Sequence, residues 1–331
     1  MVTDITWNDA KREFLLHIQA SRAQKTHRFY DVQLRQLITW AEANEVSYTQ
    51  FGKRHLDRFL VERSKTVGPT TLRHDAVSAK AFFRWCARNE LIERSSLADY
   101  EIRRAPRPAR FMPTDEDIRA VLGALMEYWN PVSNPPSKYI PPAKRIFHRE
   151  RNYAILLGLL DTCCRIGELL SLKVTDCKLK EREILIRQSK GREPRTIPIS
   201  PDWTAAVELW LRQREKAMGS APEGTDEGWL FVNEYGARVD EHHFLKVLKR
   251  VQRFAHLAED MTLHSLRRYS LNRLAKINLL GTQAIAGHKE PKTTLLYTKL
   301  DADFVREVHT SGGVVKNILN SKREERRKRL I

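Results

Sequence analysis

Apolar and polar positions alternate along the first third of this chain with the period of helices. Phe14-Leu15-Leu16, Tyr30, Val32, Leu34, Leu37-Ile38 and Trp40-Ala41 recur at three- and four-residue spacing, the spacing of helices that bury one face. A third helix is predicted from about His55 to Arg63 and a fourth from Thr70 to Arg88. The fourth carries Leu72, Ala76, Val77, Ala81, Phe82, Phe83 and Trp85 on its apolar side, and Arg73, His74, Lys80 and Arg84 on the other. Such a basic face can track a phosphate backbone or simply meet water, and one helix alone does not decide between them.

The pattern then changes. Residues 103–113 hold Pro106, Pro108 and Pro113, which forbid regular helix, among Arg103, Arg104, Arg107 and Arg110. This stretch reads as a basic linker. Thr114 followed by Asp115, Glu116 and Asp117 reads as a helix start, with a hydroxyl cap and acids in the first turn. Five prolines between 129 and 142 predict an exposed loop. The apolar run Tyr153–Leu160 predicts a core helix ending near Arg165. Short strands are expected at 183–187 and 195–199, joined by a hairpin tip, Ser189-Lys190-Gly191-Arg192-Glu193. Further helices are expected near 202–217, 241–257, 264–277, 281–287 and 291–298. The fold class is therefore mainly α (α+β). An N-terminal helical domain would span 1–102 and a linker 103–113. A mixed α/β domain with a small antiparallel sheet would span 114–312, and a basic tail 313–331.

Charge narrows the partners. The 331 residues carry 58 Lys and Arg against 41 Asp and Glu, a net charge of +17. A chain this basic calls for an acidic partner, with nucleic acid first. Arg73, Lys80 and Arg84, with Arg103, Arg104, Arg107 and Arg110, are the candidate DNA contacts. Cys86, Cys163, Cys164 and Cys177 form no C-x-x-C pair and no zinc spacing, so free thiols in a reducing compartment are expected. The start of the chain is no signal peptide, and no apolar run reaches the roughly 18–20 residues of a membrane helix. A soluble, cytoplasmic, nucleoid-associated protein without a membrane partner is expected.

The second half carries the chemistry. Arg165 sits in Arg165-Ile166-Gly167-Glu168-Leu169, Lys190 in the hairpin tip, and His264 and Arg267 in one H-x-x-R box. Gly287-His288 follows, and Tyr297 comes nine residues after His288. Each residue alone has a plainer explanation: a surface ion pair for either arginine, a satisfied histidine, a core tyrosine. Together, cations and hydrogen donors with one phenol suit attack on a phosphodiester. Planar guanidinium forks would clamp the non-bridging oxygens. A phenol of pKa about 10 needs a nearby cation or base, and the leaving alkoxide needs a proton. Lys190 is the candidate acid, with Arg192, Lys289 and Lys292 as rivals, and Glu168 is placed to orient Arg165. No carboxylate cluster suggests Mg²⁺, and no glycine-rich loop suggests ATP, so no cofactor or metal is expected.

These boxes, in this order, resemble the tyrosine recombinases, the phage integrase family, from about residue 112 to 310. Three features depart from the family: Ala286 before Gly287 where leucine is usual, a slightly short gap from His264 to His288, and the proline-rich stretch. The resemblance implies a site-specific DNA recombinase of the integrase or transposon type. It implies a core-binding first domain and a catalytic second, a 3′-phosphotyrosine intermediate and a Holliday junction. It further implies a homo-tetramer holding two double-stranded recombination sites, with room for an accessory DNA-bending protein. A type IB topoisomerase-like enzyme and a catalytically silent DNA-binding protein are the alternatives.

Overall fold

The computed structural model describes residues 5–21, 24–102, 111–130, 132, 141–187, 193–219, 222 and 224–287. The chain forms two compact units, Met1–Ala109 and Arg110–Ile331.

The first unit is a bundle of α1 (Trp7–Ser21), α2 (Gln24–Ala43), α3 (Lys53–Ser64) and α4 (Pro69–Arg88). Its core is aromatic. Trp7 stacks on Phe82 with ring centres 6.0 Å apart and meets Phe51 and Phe83 edge-on at 5.7 and 5.8 Å. Edge-to-face and offset pairs are the arrangements that ring quadrupoles favour. The indole N–H of Trp7 donates to the Val46 carbonyl at 2.8 Å, so burial leaves no orphan donor there. Pro69 at the first helical position suits α4, because its missing N–H would have had no helical acceptor. Within α4 the buried set includes Asp75 and Ser78 beside the expected aromatics. Asp75 is tolerated because Arg63 of α3 reaches it at 3.3 Å.

In the second unit α5 spans Asp115–Tyr128, and Thr114 caps it by accepting from the Asp117 N–H at 3.1 Å. α6 (Pro142–Thr162) is the central helix, and α7 is the short Ile166–Leu170. Three antiparallel strands follow in the order β1 (Cys177–Lys178), β2 (Glu183–Ile186) and β3 (Arg195–Pro198), with Ile184 opposite Ile197. A 3-10 turn, Val174–Asp176, precedes β1, and α8 (Pro201–Gly219), α9 (Glu241–Phe254), α10 (Leu263–Ile277) and α11 (Leu279–Ala286) follow the sheet. Gly158 of α6 lets Trp203 of α8 come close: a Cβ there would lie 2.8 Å from its indole nitrogen. That nitrogen donates to the Ala154 carbonyl at 2.7 Å. Removing such a buried tryptophan typically costs about 3–5 kcal/mol. The mainly helical fold with a small antiparallel sheet is the one the sequence predicts. The differences are local. β1 was not expected, α6 stops at Thr162, and Cys163 turns the chain through a left-handed conformation, φ 50°. Among the described residues no helix is long and apolar enough to cross a membrane.

Candidate active site

The turn after α6 builds the first part of the site. Thr162 Oγ1 donates to the Gly158 carbonyl at 2.6 Å and accepts from the Cys164 N–H at 3.2 Å, which fixes the helix end. Cys163 and Cys164 are buried, and burial pushes their thiols up to about 12 and about 11. They are packing groups rather than nucleophiles. Arg165 then takes an extended backbone and occupies the N-cap of α7. Its N–H donates to Glu168 Oε2 at 3.1 Å, and its Nη1 lies 3.3 Å from Glu168 Oε1. The Arg165 side chain is 41% exposed while that of Glu168 is 4% exposed, so the carboxylate grips the guanidinium from the protein side. Arg165 forms an ion pair at a helix start, the plainer of its two readings, and also presents a face to solvent.

Glu168 is shared. Arg195, the first residue of β3, donates from Nη2 to Glu168 Oε2 at 2.9 Å. Burial by itself would raise the Glu168 carboxyl. The bond from Arg195, the Arg165 N–H and the two positive charges outweigh it and hold the group down at about 2. The carboxylate is therefore a permanent anion between two arginines.

Arg267 supplies the second part. α10 starts on a reciprocal cap, with the Ser265 N–H donating to Thr262 Oγ1 at 3.0 Å and the Thr262 N–H donating to Ser265 Oγ at 2.8 Å. His264 in its first turn is exposed, whereas Arg267 is buried at 2% exposure. The three-residue spacing thus carries the shared face from the solvent rim to the interior. Arg267 Nη1 donates to the Cys163 carbonyl, and Nη2 donates to the Ala286 carbonyl at 3.0 Å. Arg195 Nε donates to the neighbouring Ile285 carbonyl at 3.1 Å. The last carbonyls of a helix lack helical donors and carry its negative pole. Here the end of α11 is tied by two cations to the turn that bears Arg165. Ala286 packs with Cys163 and Leu271 in a small buried cluster. Gly287 closes the helix in the left-handed region, φ 63°.

Arg165, Glu168 and Arg267 are therefore brought to one place, with His264 on the same helix as Arg267. Lys190, Arg192, His288 and Tyr297 lie outside the described residues, as do Arg103, Arg104, Arg107 and Arg110. Sequence reasoning missed Arg195. The signal was available: alternation along β3 puts Arg195 on the same inward face as buried Ile197. In the first unit Arg73 and Arg84 are exposed as expected. Lys80 differs from the expectation of a solvent-facing cation. It is half-buried, and its Nζ donates to the Tyr100 carbonyl at 2.8 Å, because the chain after α4 folds back over that helix.

Two family models match. The phage integrase family covers residues 143–303, and the phage integrase N-terminal SAM-like domain covers 12–90. The chain belongs to the phage integrase family, the tyrosine recombinases. Members of this family are enzymes that cleave and rejoin DNA in site-specific recombination. Among relatives, tyrosine recombinase XerC of Chromohalobacter salexigens is 26% identical over 305 residues, 91% of this chain and 94% of that one. Tyrosine recombinase XerD of Halalkalibacterium halodurans is 25% identical over 242 residues, 72% of this chain and 74% of that one. Among solved folds, XerH recombinase bound to a palindromic difH substrate has TM-score 0.69 at 19% identity, over 89% of this chain and 81% of that one. The Tn1549 transposon integrase in complex with a circular intermediate DNA has TM-score 0.68 at 16% identity, over 93% of this chain and all of that one. This recombinase fold thus places the cationic turn, the H-x-x-R helix and β3 together in its second unit.

Proposed function

We propose that this tyrosine recombinase exchanges DNA strands at specific double-stranded sites through a 3′-phosphotyrosine intermediate. Tyr297 is the nucleophile. Its oxygen forms a bond to the scissile phosphorus, the bond from phosphorus to the 5′ oxygen breaks, and Lys190 gives that oxygen its proton. Arg165, which faces solvent, balances the charge that develops on the non-bridging oxygens, the largest demand in such a transfer, and Arg267, buried with its Nη1 and Nη2 on the Cys163 and Ala286 carbonyls, adds its positive charge from behind that turn. His264 reaches the same phosphate or takes the phenolic proton, and His288 donates to a phosphate oxygen. Glu168 holds Arg165 in place. The covalent ester conserves the energy of the broken bond, so resealing needs no ATP.

In this reading residues 1–102 form a core-binding domain that meets DNA with Arg73 and Arg84. Arg103, Arg104, Arg107 and Arg110 of the linker join the phosphate contacts. Residues 114–312 form the catalytic domain, and 313–331 a basic tail. Four copies would hold two sites as a Holliday junction forms, in the cytoplasm at the nucleoid, with an accessory DNA-bending protein where the site requires one. The observation that carries the reading is the convergence of Arg165, Glu168 and Arg267 on the turn after α6. A plasmid bearing two copies of the DNA that flanks this gene tests it. Wild type should yield recombined products and Tyr297→Phe none. Relaxation without exchange would move the assignment to a topoisomerase, and binding with neither outcome would leave a silent DNA-binding protein.

A further inference from the structure

We propose that Arg195 is a positioning residue of the recombination reaction, a role that rests on the chemistry proposed above. Its guanidinium makes two bonds that diverge. Nη2 reaches Glu168 Oε2 at 2.9 Å, and Nε reaches the Ile285 carbonyl at 3.1 Å. Only 14% of the side chain is exposed. The first bond restrains the carboxylate that holds Arg165. The second holds the last turn of α11, from which the chain passes through Gly287 into His288. Arg195 itself begins β3, five residues after Lys190. One side chain thus ties the helix that follows Arg165 to β3 and to the end of α11, the described elements next in sequence to Lys190 and His288.

Charge alone does not perform this task. The rigid fork of arginine offers donors in fixed, separate directions, whereas the ammonium of lysine is a point charge on a flexible stem. Lysine would neutralise Glu168 and leave the Ile285 carbonyl unheld. Gly287 tightens the fit from the other side. A Cβ there would lie 3.1 Å from Arg195 Cζ and 3.2 Å from its Nε and Nη1, so the guanidinium occupies space that any other residue would contest. Positioning errors of about 1 Å cost on the order of 10²-fold in rate, and that is the scale on which a loosened Arg165 should be felt.

The test uses the full chain, a labelled DNA site with a nick that traps the covalent adduct, and single-turnover cleavage at saturating DNA. Arg195→Lys is expected to lower the cleavage rate by roughly 10- to 100-fold while the DNA dissociation constant stays within about twofold. Gly287→Ala, which keeps the guanidinium but crowds it, should lower the rate in the same sense, and serves where Arg195→Lys folds poorly. A merely structural residue would lower Tm and leave the rate at saturating DNA untouched. Wild-type cleavage by Arg195→Lys, or a rate loss matched by an equal loss of DNA affinity, overturns the role. Wild type that forms no adduct takes down the proposed chemistry with it, whereas a wild-type adduct beside an unimpaired Arg195→Lys takes down only the role of Arg195.

Discussion

Gly287→Ala tests the architecture of the site by stability as well as by rate. Gly287 has φ 63° and ψ 41°, a left-handed conformation that costs an L-residue with a Cβ about 1–2 kcal/mol. The added methyl would also lie 3.1–3.2 Å from the Arg195 guanidinium. If the guanidinium yields, its bonds to Glu168 and Ile285 lengthen; if it holds, the methyl is compressed. Overpacking of this kind typically costs about 1–3 kcal/mol, and the lower end applies because a side chain can shift. Together the loss should be about 2–4 kcal/mol. At about 2–4 °C per kcal/mol for a unit of this size, Tm of the second unit should fall by roughly 4–16 °C. Differential scanning calorimetry of the full chain reads this directly. Gly123→Ala is the control: Gly123 lies inside α5, with nothing within 4 Å of an added Cβ. That change should stabilise by about 0.5–1 kcal/mol. Gly287→Ala with a wild-type Tm would refute the claim that the end of α11 is locked against Arg195.

The remaining expectations concern acid, thiols and salt. Burial first, then the charges of Arg151, His243 and Lys144, hold the His148 imidazole down at about 3. The unfolded chain binds that proton near pH 6.5, so the stability is fully present above this pH and is lost as pH falls toward 3. Between pH 7 and 5 the loss should be about 2 kcal/mol by urea titration, and His148→Gln should flatten it; an unchanged slope would contradict the assignment. Burial likewise pushes Cys86, Cys163 and Cys177 up to about 12 and Cys164 to about 11, so the native protein should resist thiol reagents at pH 8 and expose all four thiols on unfolding. Rapid native labelling of Cys163 or Cys164 would show that the turn opens. With about six to ten phosphates neutralised, DNA affinity should fall roughly 10³–10⁵-fold between 50 and 200 mM salt; a flat response would remove the basic clamp.

What the sequence discloses and what it hides divide along physical lines. Strong periodicity announced α1 to α4, and the Thr114 cap announced α5, because local patterns dictate both. β1 is two residues long and leaves no alternating run to detect. The sequence places the end of α6 near Arg165, and the helix stops slightly earlier, at Thr162, because a cysteine, not a glycine, takes the left-handed position at residue 163. The spacing of Arg165 and Glu168 suggested their contact, since one helical turn brings them together. The burial of Arg267 was hidden because its acceptors, the Cys163 and Ala286 carbonyls, lie 104 and 19 residues away in sequence. Lys80 was misread for a similar reason: the Tyr100 carbonyl that receives it belongs to a later segment.

The most direct measurement joins the phenol to the cradle. Adduct formed on nicked, labelled DNA can be digested with protease and the DNA-linked peptide identified by mass spectrometry. One linkage is expected, through Tyr297 to a 3′ phosphate, absent in Tyr297→Phe and strongly reduced in Arg165→Ala and Arg267→Ala. A linkage through another residue, or an adduct that forms at the wild-type rate without either arginine, would contradict it.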